Sequence, residues 1–401
     1  MPVRTTLPVP EYLRQFDEPA GYLDFARFGP VSAEVREVLT RAAGRMHSGH
    51  GWDTLAELDA ATLDAARSAA DLLGARPEEI AFVGSTSHGL FAAAHALAGT
   101  SAPTPGAGAT SGLFTAAGAG GAPGAGAAAG TVLVGRRDFP GALYPWLRAA
   151  DHGGLAVRPV DGPVTADAVR AHLDDAVRAV SVCAVDAATG FRAPLAAIRD
   201  VIGPDRVLVV DAVQALGAVD LDAGPADVLA CGGQKWLRAG WGAALLLVRD
   251  RVADRLRPGL SGWSGVVDPI DAPHHPARRG PARWPTPSPT RTGRPSPRSV
   301  RGSTWSGRSG RTGSPPWWRR RSTDCSTPRG RPAPRWRGRS AAAGSGGCGC
   351  PAPTLAVHRT LTGAGLATTL RGGWIRLSPH ASTGPETAAR LAEALRSVPV
   401  G

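Results

Sequence analysis

Between residues 21 and 268 the sequence alternates short β-branched apolar runs with longer amphipathic stretches, the pattern of a parallel sheet covered by helices. The runs IAFVG (80–84), TVLVG (131–135), LAVRPV (155–160), AVSVCAV (179–185), RVLVVDA (206–212) and AALLLVR (243–249) read as strands. Between them, TSHGLFAAAHAL and TADAVRAHLDDAV carry helical patterning. The expected fold class is α/β.

A chain of 401 residues can hold one large domain and a smaller companion. Residues 1–20 read as an N-terminal arm or part of the smaller domain, and 21–268 as the large one. The stretch 100–130 is rich in Gly and Ala and too poor in large apolar side chains to bury much, so a flexible insertion is expected. Residues 276–340 hold 17 Arg against one acid, Asp324, with five of the chain's 11 Trp, one Val and no Leu, Ile, Phe or Met. Their net charge of +16 exceeds the +12 of the whole chain, which leaves −4 for the rest. Such a composition cannot offset the entropy of ordering, so disorder is expected over 276–352.

Three readings of that segment stay open. An arginine-rich arm could neutralise phosphates while Trp stacks on bases, but no folded recognition module accompanies it, and nucleic acid is not the expected partner. A passive disordered insertion is the second. A translated frameshift is favoured, because GC-rich DNA read out of frame yields Arg, Pro, Gly, Ser and Trp, and ordered-looking sequence resumes near TLAVHRTLTGAGLATTLRGGWIRLSPH. Residues 353–401 then read helix, strand, strand, helix, with WIRLS a strand and a closing helix started by Thr383 and Pro385. They resemble the remnant of a small domain.

The chain has 45 basic residues, of which Lys235 is the only lysine. A GC-rich coding bias accounts for part of this. Arginine replaces lysine wherever a solvated charge suffices, but its guanidinium stays protonated and is a poor nucleophile, so the surviving lysine is a candidate for amine chemistry. The N-terminus lacks the apolar core of a signal peptide and no window is apolar enough for a membrane span, so a soluble cytoplasmic protein is expected. Cys183, Cys231, Cys325, Cys348 and Cys350 show no metal spacing, and no metal is expected.

Asp211 ends the run RVLVV, where a buried parallel strand gives way to a loop at the carboxyl edge of the sheet. A short strand, ADVLAC (226–231), delivers Lys235 to the same edge, and Gln214 lies between. A carboxylate and an amine at a strand-end crevice suit pyridoxal phosphate, the lysine as Schiff-base partner and the carboxylate beside the ring nitrogen. An ordinary ion pair is the plainer alternative. GSTSHGLFAAAHAL (84–97) places Thr86 and Ser87 at a helix N-terminus, either as an anion cradle or as a simple N-cap.

The order GSTSHG, DFPGALYPWL, VVDAVQALGAVDLD, ADVLACGGQKWL, GWSG and IRLSPH resembles the class V aminotransferases. These are fold type I pyridoxal-phosphate enzymes that include cysteine desulfurases, kynureninase, isopenicillin N epimerase-like proteins and the ergothioneine-pathway C–S lyase. The resemblance covers 20–268 and 353–397. It implies a mainly parallel, seven-stranded-type sheet flanked by helices, plus a small α+β C-terminal domain. It also implies pyridoxal 5'-phosphate held by Lys235, Asp211 on the pyridinium nitrogen, Gln214 beside the phenolic oxygen, and Thr86, Ser87 and Gln234 on the phosphate. Phe139 would stack on the ring and Arg376 would grip the substrate α-carboxylate. A homodimer is implied, with Trp263 a candidate for a partner's site.

Two departures narrow the expectation. Where many relatives carry Ser-Asn-Xaa-Xaa-Gly, this chain has Asp186, Ala187, Ala188, Thr189 and Gly190. LATTLRGGWIRLS lacks the cysteine that desulfurases carry before the carboxylate-binding arginine, which disfavours persulfide chemistry. The expected function is therefore an aminotransferase-type reaction on an amino acid: Arg376 orients the substrate and Lys235 removes the Cα proton. The alternatives are a C–S β-elimination lyase of the ergothioneine type, or an inactive cofactor-binding relic whose small domain is scrambled.

Overall fold

The computed structural model describes residues 8–48, 51–98, 130–257, 352–371 and 373–398. These form two compact units, one within Phe28–Thr304 and the other within Met1–Arg27 and Trp305–Gly401. Most of the expected 100–130 insertion, the 276–340 segment, Trp263, Cys325, Cys348 and Cys350 lie outside the described residues.

The chain enters through the short helix α1 (Val9–Leu13) of the smaller unit and passes to α2 (Ala33–His47) and α3 (Gly51–Leu73) of the larger one. There follow β1 (Ile80–Val83), α4 (Thr86–Ala98), β2 (Thr131–Gly135), α5 (Pro140–Asp151), β3 (Ala156–Val160), α6 (Ala166–Arg170), β4 (Val177–Cys183), α7 (Leu195–Ile202) and β5 (Val207–Asp211). The unit continues with β6 (Val228–Gly232), β7 (Ala244–Val248) and α8 (Asp250–Ala253). All seven expected strands form, with ends shifted by at most two residues, and they make one sheet in the order β1-β7-β6-β5-β4-β2-β3.

The core explains why these runs are apolar at nearly every position. Leu208, Val210, Leu229, Cys231 and Leu247 face one layer with Leu73, Ile198 and Ile202, while Val207, Val209, Val228, Ala230 and Leu246 face the other with Leu90, Ala93 and Trp146. Both faces are covered, so both positions of the pleat favour apolar side chains and a polar one needs a partner. Trp146 is fully buried, and its indole N–H donates to Ser181 Oγ at 2.9 Å.

One strand departs from the parallel pattern. β7 runs antiparallel to both β1 and β6. The connection from β6 to β7 is therefore the short loop 233–243 rather than a helical crossover, and this loop carries Lys235. A second departure is TADAVRAHLDDAV, which is helical only over α6. Beyond it the His172 ring nitrogen meets Ala168 O at 2.7 Å, Arg158 donates to His172 O at 2.8 Å, and Asp174 accepts from Ala176 N at 3.0 Å. Side-chain bonds to the backbone outcompete a second helical turn there.

In the smaller unit, α9 (Ala352–Gly363), the hairpin of β8 (Thr369–Arg371) with β9 (Trp374–Arg376), and α10 (Pro385–Arg396) follow the expected helix, strand, strand, helix order. The N-cap of α10 is Gly384, with Pro385 at N1. Thr383 serves the turn before it instead, its hydroxyl accepting from His380 N at 3.0 Å. Leu23, Leu361, Leu366 and Ala394 form the core, and Phe25 stacks on His380 with centroids 4.9 Å apart. Residues 21–27, which the alternating pattern groups with the large domain, fall in this unit, where Tyr22 and Asp24 bridge to Ala367 and Ser378.

Candidate active site

β1, β2, β4, β5 and β6 point their carboxyl ends toward one edge of the sheet, so the loops that follow them converge. Asp211 is the last residue of β5 and lies in register with Cys183 at the end of β4. Asp138 and Phe139 follow β2, Asp186 follows β4, and Gln234 and Lys235 follow β6.

Contacts knit these ends together. The Thr86 hydroxyl, at the first turn of α4, accepts from Gly232 N at 2.8 Å, and the Ser87 hydroxyl donates to Gly141 O at 3.1 Å. A Cβ on Gly232 would stand 2.2 Å from Gln234 Oε1 and 2.9 Å from Thr86 Oγ1. Only glycine leaves room for the Gln234 amide and the Thr86 hydroxyl side by side at the N-terminus of α4. Lys235 Nζ lies 5.7 Å from the centre of the Phe139 ring, and that ring is 42% exposed although strand-end loops surround it. Gln214 is buried and accepts from the Trp236 indole N–H at 2.9 Å.

The edge is electrostatically loaded. Burial pushes Asp211 up to about 6, against the pull of the Val213 backbone N–H at 2.9 Å and of the Lys235 charge. Burial also pushes Asp138 up to about 6; a hydrogen bond with Cys183 opposes the rise, and the negative charges of Asp211 and Asp186 add to it. The Cys183 thiol is driven well above its usual range, first by burial and then by the same three carboxylates, so it stays neutral and is no thiolate nucleophile.

The structure thus brings Thr86, Ser87, Phe139, Asp211, Gln214, Gln234 and Lys235 to one sheet edge. Arg376 stands in the smaller unit, at the end of β9, with its guanidinium 3.5 Å from Asp24. The segment 186–190 is a tight turn: Asp186 Oδ1 accepts from Ala188 N, Thr189 N and the Thr189 hydroxyl at 3.1, 2.6 and 2.6 Å.

Sequence reasoning missed two groups of residues. Asp138 stands next to Phe139 in the quoted DFPG, so adjacency could have drawn notice to it. Gly29, Pro30 and Arg238, which brace the lysine loop, carry no signal beyond ordinary turn composition.

Residues 106–277 match the family described as aminotransferase class-V. An uncharacterised aminotransferase, YcbU, of Bacillus subtilis is 27% identical over 245 residues, which are 60% of this chain and 57% of that protein. A probable hercynylcysteine sulfoxide lyase of Mycobacterium tuberculosis is 35% identical over 127 residues, 30% of this chain and 32% of that protein. The chain therefore matches little more than half the length of the first and about a third of the second. Among solved structures, the cystine C–S lyase C-DES, with glycine covalently linked to its PLP cofactor, aligns with a TM-score of 0.54 at 17% identity. That alignment covers 67% of this chain and 68% of the other and is a likeness of fold.

Proposed function

We propose that this chain, whose residues 106–277 match the aminotransferase class-V family, is a pyridoxal-phosphate-dependent enzyme that removes the Cα proton of an amino acid. The observation that carries the reading is the meeting of one amine, one exposed aromatic face and one buried carboxylate: Lys235 Nζ 5.7 Å from the Phe139 ring, with Asp211 feeling the lysine charge. The residues present fit the cofactor. Beside Gly232, where a Cβ would clash, the Gln234 amide and the Thr86 hydroxyl stand together at the N-terminus of α4, where a phosphate is favoured.

In this reading Thr86, Ser87 and Gln234 would hold the phosphate, with Phe139 and Gln214 as the residues that would contact the ring. Pyridoxal phosphate, when bound, supplies an electron sink conjugated to the substrate nitrogen. Asp211, held at about 6 by burial despite the Lys235 charge, would be the carboxylate to pair with a protonated ring nitrogen. The neutral amine of Lys235 takes the Cα proton at Nζ and can return it at a different atom. Arg376, on the smaller unit, is proposed as the partner of the substrate carboxylate, and a homodimer as the working assembly.

The proton's destination separates the outcomes. Return to the cofactor side gives transamination; loss of a β-substituent gives elimination. The 35% identity with the sulfoxide lyase favours elimination as the second reading. Amino donor with keto acid, assayed against release of pyruvate and ammonia, tells the two apart.

The purified chain mixed with pyridoxal phosphate is expected to absorb at about 410–430 nm and to bind the cofactor in a borohydride-fixable manner. Lys235→Ala abolishes both. Borohydride-fixed cofactor on the Lys235→Ala protein overturns the reading.

A further inference from the structure

The lysine loop is held from outside by a residue the chemistry above does not use. Arg238 has φ of 55°, and it is the only non-glycine among the described residues in the left-handed region. Side chains avoid that conformation unless their surroundings impose it, and such residues gather where a site is held in a particular shape. The surroundings here are specific. Arg238 is 2% exposed, its Nε donates to Pro30 O at 2.6 Å, and its backbone N–H donates to Lys235 O at 3.2 Å.

The opposite side of the loop is equally close. Gly29 N donates to Gln234 O at 2.8 Å, and a Cβ on Gly29 would lie 2.0 Å from Lys235 O. Within the loop, Gly233 N bonds Ala243 O and Ala239 N bonds Gly233 O, each at 2.8 Å. Gly217 (φ 88°) leaves room for Trp236 O, which would be 2.9 Å from a Cβ there. The main chain of Gln234 and Lys235 is therefore pinned between the Gly29–Pro30 segment and the Arg238 turn.

We propose that Arg238 and Gly29 are positioning residues that fix the Lys235 backbone so that its amine meets the Phe139 face. The inference rests on the reading of Lys235 as the reacting amine. Arg238 touches no reacting atom. It acts by closing the turn, its buried guanidinium stem holding a left-handed backbone that a free loop would leave.

Lys235 is the only lysine, so its reactivity can be read by peptide mass without interference from others. The full chain and the variants Arg238→Asn and Gly29→Ala are treated with pyridoxal phosphate and borohydride, and in parallel with trinitrobenzenesulfonate, a small amine reagent that needs no cradle. Asparagine tolerates the left-handed backbone but cannot reach Pro30, while the alanine methyl displaces Lys235 O. The expected result is cofactor capture slowed about tenfold or more in both variants, with trinitrobenzenesulfonate labelling of Lys235 undiminished. Capture within about twofold of the parent in folded variants overturns the proposal and leaves the cofactor reading intact. Equal loss of both reactions also overturns it, because that marks general disorder rather than positioning. Should far-UV circular dichroism show Arg238→Asn unfolded, Arg238→Gly, free to adopt the same φ, is measured in its place. Absence of capture in the parent chain overturns the cofactor reading, and this inference with it.

Discussion

A buried carboxylate is a burden on the fold once it is charged, and Asp211 shows how large. Its folded value of about 6 stands above the ordinary 3.8, so between those values the native state holds more protons than the unfolded chain. Stability of the ligand-free protein therefore falls as pH rises from about 4 to about 6, by on the order of 3 kcal/mol from this group, which is 6% exposed. Asp211→Asn is expected to raise the urea midpoint at pH 8 and to flatten its pH dependence over that window. Cofactor-dependent turnover should drop about a hundredfold or more, since the neutral amide cannot stabilise a cationic ring nitrogen. The residue types of this site were legible in the sequence: one lysine, an aspartate ending an apolar run, hydroxyls opening a helix. Their environment was not, because the raised value of Asp211 comes from burial under chain segments remote in sequence.

The strands were the best-read elements, since a sheet covered on both faces favours apolar residues at nearly every position and leaves a near-continuous run as its trace. The reversal of β7 left no such trace, because AALLLVR fits either direction. Direction was fixed by the length of the loop back from β6, too short for a helical crossover. The helix beyond Arg170 was over-read for the opposite reason: its periodicity is real, but local bonds from His172, Arg158 and Asp174 take the backbone groups. At the end of β6, Gly232 tests the cradle directly. Gly232→Ala places a methyl against Gln234 Oε1 and Thr86 Oγ1, and pyridoxal-phosphate affinity, followed by absorbance titration, is expected to weaken about tenfold or more while the sheet still forms.

The molecule divides its proposed labour between two units, so its variants should separate too. Arg376→Ala is expected to leave cofactor capture by Lys235 unchanged and to raise KM for the amino acid about a hundredfold, through loss of a charge-assisted pair. Equal weakening of capture and of KM would contradict that division. The sequence by itself determined the class of sheet, the order of its motifs and the one amine available, because each is written in local residue type and spacing. Tertiary structure alone decided that Thr86 meets Gly232 across 146 positions, that Lys235 lies over Phe139, and that Arg238 is held at φ 55°. Proximity and burial are products of packing between distant segments, and no linear pattern carries the distances that packing sets.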